Sequence, residues 1–74
     1  MTFLTAPHTC LWPEVEPGFW VSNIGGNFGG TVERTGGGFL ARDAMGVAVG
    51  TFPDAASAKR AVEERFRVSI DSAR

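Results

Sequence analysis

Seventy-four residues with a formal charge of −1 and a single cysteine predict one domain with a thin core, because a chain this short buries only about 60% of the surface its unfolded form exposes. No stretch approaches the roughly 20 apolar residues of a membrane span, the Met1-Thr2-Phe3-Leu4 start lacks the basic opening and apolar run of a secretion signal, and the lone Cys10 cannot close an internal disulfide. A cytoplasmic protein with no membrane partner is the expectation, and a near-neutral balance argues against a strongly electrostatic nucleic-acid binder.

Residues 1–17 carry Pro7, Pro13 and Pro17, which fix their own φ and push their predecessors towards extended geometry. This segment reads as an extended arm. Its apolar members Phe3, Leu4, Leu11, Trp12 and Val15 are expected to cover an edge or face of a sheet, or a second copy of the chain in a homo-oligomer.

Residues 18–70 read as the folded domain. Phe19 to Ile24 is rich in strand formers. Gly25-Gly26-Asn27 supplies turn chemistry, and Phe28 to Thr35 is the next strand. A Gly36-Gly37-Gly38 loop leads to a third strand, Phe39 to Arg42. Asp43-Ala44-Met45-Gly46 fits a type I turn followed by a left-handed glycine, and Val47 to Phe52 is a fourth strand. Asp54 is a good N-cap for a helix over about 54–67. Ala55, Ala58, Val62 and Phe66 share one face of it, with Lys59, Arg60, Glu63 and Glu64 on the other, spaced for i,i+4 ion pairs. After Phe66 the spacing fits helix and strand equally, and 71–74 is a tail.

The fold class that follows is α+β: an antiparallel three- to four-stranded meander packed on one C-terminal α-helix, with an extended N-terminal arm. Alternation places Val32, Phe39, Ala41, Val47 and Val49 towards the helix and Thr31, Glu33, Thr35, Leu40, Arg42 and Ala48 on the opposite face, an assignment that a one-residue slip would invert.

Candidate chemistry is sparse. Gly36-Gly37-Gly38-Phe39-Leu40-Ala41 fits a dinucleotide fingerprint formally, but that pattern needs a helix after it, whereas a strand follows. His8 and Cys10 fall short of the four ligands of a closed zinc site, and no third group orients them as a nucleophilic pair. The carboxylates are absorbed by structure: Asp54 as a cap, Asp43 in a turn, Glu63 and Glu64 on a helix face. Neither an enzyme nor a cofactor is expected. Trp12 and Trp20 read either as a partner-binding aromatic patch or as bulk completing a thin core. Arg65, Arg67 and Arg74 near the helix end are suited to phosphates or to the helix dipole.

Gly50-Thr51-Phe52-Pro53-Asp54-Ala55-Ala56-Ser57-Ala58, with the preceding Gly38-Phe39-Leu40-Ala41-Arg42, resembles the last strands and helix of the plant ethylene-response-factor domains and the arm-type DNA-binding domains of phage and transposon integrases. The resemblance covers about half the chain, Gly30 to Phe66. It implies that the sheet face away from the helix enters the major groove of double-stranded DNA. Arg42 matches a contact position of that face, and Arg34, Arg65 and Arg67 are the further candidates for nucleic acid. Arginine in preference to lysine, with abundant Ala, Gly and Val, fits a GC-rich genome such as that of an actinobacterial phage. The expected function is therefore macromolecule binding: DNA by resemblance, or alternatively a protein partner, such as a host factor met by a phage protein, or a homo-oligomeric structural role.

Overall fold

Short strands broken at glycines leave their backbone groups to pair with the next strand, and a computed structural model shows the result as an antiparallel sheet with one helix across it. The structure describes residues 10–72, with side chains to Arg67; Phe3, Leu4, His8 and Arg74 lie outside the described side chains. The strands are β1 (Cys10–Leu11), β2 (Glu14–Glu16), β3 (Phe19–Ile24), β4 (Asn27–Thr35), β5 (Gly38–Asp43) and β6 (Ala48–Phe52), followed by α1 (Ala55–Ser72). From β3 to β6 the sheet is a meander, and β1 and β2 both pair antiparallel with the far side of β3.

The sheet is thus wider than the three or four strands expected, because part of the arm joins it. Pro13 interrupts the pairing between β1 and β2 but still contributes its carbonyl, which accepts from Val21 N at 3.1 Å. The helix also extends past 67, to Ser72, which resolves the ambiguous spacing after Phe66 in favour of helix.

Register fixes the two faces. Trp20 pairs with Val32 and Val32 with Ala41; this row lies under α1, where Val32, Ala41, Ala58 and Val62 are fully buried. Trp12, Trp20, Phe39, Val49 and Phe52 pack around them. Burying a valine of this kind contributes about 2 kcal/mol. Alanine at 41 and 58 lets the layers approach closely, and Gly30 takes this furthest. It has φ 141°, and a Cβ there would fall 2.4 Å from Arg42 O and 2.7 Å from Val62 Cγ1.

Two expected positions differ. Val47 belongs to the helix-facing set by alternation, but it is 53% exposed, because it lies in the closing loop before β6. A register shift between Ala41 and Arg42 breaks the simple alternation that joined it to Val49. Lys59 and Glu63 fall on the solvent side of α1 by spacing, yet both are half-buried and turn towards the tryptophans.

Candidate functional site

Two surfaces collect the residues of interest. The first is a clasp between the arm and the helix. Trp12 Nε1 donates to Glu63 Oε2 at 2.9 Å. Lys59 Nζ lies 5.8 Å from the Trp12 ring centroid and 5.1 Å from that of Trp20, within reach of the negative ring faces. Trp20 in turn packs tilted against Phe39, with centroids 6.0 Å apart. Cys10 belongs to the same cluster. Burial pushes its thiol up to about 11, and the neighbouring Glu63 carboxylate adds to the rise against an opposing pull from Arg67. At neutral pH it is therefore a protonated thiol, which is a poor nucleophile and metal ligand. Trp12 and Trp20, the aromatic partner-binding candidates, thus meet the chain's own helix.

The second surface is the sheet face turned away from α1. One row runs Glu16, Phe19, Glu33, Leu40, Thr51 and the next Val21, Thr31, Arg42, Ala48, each neighbour paired across strands. Asn23 lies on the same face between Leu11 and Phe28, which are 55% and 52% exposed. Phe19, Val21, Thr31 and Leu40 are half-buried by their neighbours alone. No described element covers this face. The expected outward set of Thr31, Glu33, Thr35, Leu40, Arg42 and Ala48 agrees with this register; Phe19, Val21 and Phe28 were missed as members of it. For Phe19 and Val21, alternation with Trp20 and Ser22 is the signal that finds them; Phe28 is turned outward by the register shift between Ser22 and Asn23, which local alternation does not encode.

The four arginines considered for nucleic acid do not share a surface. Arg42 stands on the open face, where its Nη1 donates to Gly46 O at 3.4 Å. Arg34 pairs with Phe39 on the helix side and lies against Gly18: a Cβ on that glycine would fall 3.3 Å from Arg34 Nε. Arg65 is bonded to Asp43, and Arg67 is exposed on α1 near Cys10. Among the described residues, Arg42 is the one cation of the open face, and Glu33 stands two residues along on the adjacent strand.

Asp43 and Asp54 are accounted for by structure. Asp43 is 8% exposed; its Oδ1 accepts from Val47 N and Met45 N at 2.9 Å each. The Val47 amide foremost, then the Met45 amide and the Arg65 guanidinium, hold its pKa below the ordinary value. Asp54 caps α1, accepting from Ser57 N at 2.7 Å, and that bond lowers its pKa. Among the described residues no three His, Cys, Asp or Glu side chains gather as a metal-ligand set, and no helix is long and apolar enough to cross a membrane.

No family model, curated protein or solved structure matches this chain.

Proposed function

We propose that this chain is a non-catalytic protein-binding module of the cytoplasm whose contact surface is the sheet face left open by α1. The observation that carries this reading is the composition of that face: Phe19, Val21, Phe28 and Leu40 surround a single Arg42 and Glu33, with Glu16 at the β2 edge. An apolar centre with few charges suits a protein interface, and a contiguous exposed apolar patch is a feature that monomeric surfaces restrict.

The reading is tested with immobilised wild type, Leu40→Glu and Trp12→Phe in capture from a bacterial lysate, followed by reconstitution of each captured species with purified components. Binding that is lost in Leu40→Glu and kept in Trp12→Phe is expected. Equal capture by wild type and Leu40→Glu overturns it.

Double-stranded DNA is the second reading, favoured by the position of Arg42 on the same face that the resembling integrase-arm domains use. With one cation there, the salt slope should be shallow, on the order of −1. A duplex shift that Arg42→Ala removes would support it. The absence of binding at low salt, down to tens of micromolar where non-specific binders register, would remove it.

A further inference from the structure

We infer that the occupant of the open sheet face is a second copy of this chain, packed face to face about a two-fold axis. This rests on the protein-binding reading of that face and adds the identity of the partner.

The argument begins with charge. Glu33 lies opposite Leu40 on β5, and Arg42 lies opposite Thr31 on β4, so the acid and the base occupy adjacent strands, one row apart. They are not joined within the chain: the contact made by the Arg42 guanidinium is to Gly46 O. A two-fold axis must place like surface on like surface. A face bearing only one sign of charge would repel its copy. Here an in-plane axis passing between the two positions sets Glu33 against Arg42 of the partner subunit, and Arg42 against Glu33 of the partner subunit. Glu33 and Arg42 are thus self-complementary, one charge pair generated twice, while the other carboxylate of the face, Glu16, stands opposite Phe19 at the β2 edge.

Apolar content points the same way. Phe19, Val21 and Leu40 flank the charged pair in the two central rows, which is the arrangement of an apolar patch crossed by specifying charges. Two such sheets would stack about 10 Å apart, as the layers of a sandwich do. Five strands about 4.8 Å apart and about six residues long cover on the order of 500 Å² in projection. That lies at the low end of specific interfaces, so association should be weak, on the order of 10–100 µM.

The test is sedimentation velocity over about 5–500 µM, a range that brackets weak interfaces of this size, with circular dichroism to confirm that each variant folds. Wild type should pass from monomer to dimer across the range. Arg42→Glu and Glu33→Arg should each weaken the dimer about tenfold, since each sets like charges together. The double variant Glu33→Arg/Arg42→Glu should recover to within about threefold of wild type, because the pair is restored with its signs exchanged. Leu40→Glu should abolish the dimer.

A wild type that stays monomeric throughout, a double variant that fails to recover, or a dimer indifferent to all four variants overturns the inference. The last outcome would point instead to exchange of the N-terminal arm. None of these results touches the Leu40-dependent capture of a different protein, so failure of the self-association leaves the broader reading to its own experiment.

Discussion

Asp43 and Arg65 tie the end of β5 to α1: Arg65 Nε donates to Asp43 Oδ2 at 3.3 Å, while the other carboxylate oxygen holds the amides of Met45 and Val47. One buried carboxylate thus shapes the β5–β6 turn and anchors the helix over it. The two partners are unequal. Arg65 is half exposed and Asp43 nearly enclosed, so removing each should have different consequences.

Arg65→Ala is expected to cost about 0.5–1 kcal/mol, the range of a partly solvated ion pair. Asp43→Ala should cost distinctly more, because it leaves two turn amides without their acceptor as well as freeing the guanidinium. Urea unfolding checks this: the midpoint should fall further for Asp43→Ala, with a similar slope for both.

Acid should destabilise the fold through Asp43 and Asp54. Both have folded pKa values below the ordinary 3.8, so the unfolded chain takes up protons first as pH falls. Their stabilisation is present above about pH 4 and is lost as pH drops through their folded values. Cys10 acts at the other extreme. Its folded pKa of about 11 lies above the ordinary 9.0, so the unfolded chain releases that proton first and stability declines as pH rises from 9 towards 11. Urea midpoints measured across pH should show both limbs, with the acid limb shallower in Asp43→Ala and the alkaline limb shallower in Cys10→Ala.

Gly30→Ala should destabilise by about 3 kcal/mol or more, combining a left-handed backbone with overpacking against Arg42 O and Val62. Gly36→Ala is the control. Nothing lies within 4 Å of its added carbon, and a change within about 0.5 kcal/mol is expected. Thermal melts of the two variants make the comparison, and equal shifts would contradict the close approach at Gly30.

Ser22→Ala is expected to be neutral or to stabilise by about 1 kcal/mol. The Ser22 side chain is fully buried, and its hydroxyl finds no hydrogen-bond partner among the described residues, so the substitution removes a desolvated polar group at little cost in packing. A lower melting temperature for this variant would show that the hydroxyl is engaged.

The order of strands and helix was legible because each local signal agreed with the next. The bulky, β-branched run at Phe19–Ile24, the Asp43–Gly46 turn and the Asp54 cap all stand where their chemistry predicts. The open face was legible in part, since alternation through β4 and β5 is regular. What escaped depended on distant partners. Lys59 and Glu63 have the spacing of a solvated ion pair, but the indole of Trp12, 51 positions from Glu63, competes for the carboxylate. Val47 followed the alternation of β6 until the register shift beside Arg42 ended it. Of the arm's prolines, Pro7 lies outside the described residues, Pro13 stands between β1 and β2, and Pro17 sits in the turn before β3; the pairing of β1 and β2 with β3 rests on contacts that no local pattern encodes.

The clasp at Lys59 has a consequence for how the protein can be observed. The chain has two tryptophans and no tyrosine, and both indoles meet at that one ammonium group. Intrinsic emission therefore reports a single location, the seam between the arm and the helix. Detachment of the arm would alter the spectrum before the meander melts, so a fluorescence transition and a far-ultraviolet transition should separate in temperature. Docking on the opposite side of the sheet, which carries phenylalanine alone among the aromatics, would leave the emission nearly unchanged, and a probe placed on that side would be needed to see it.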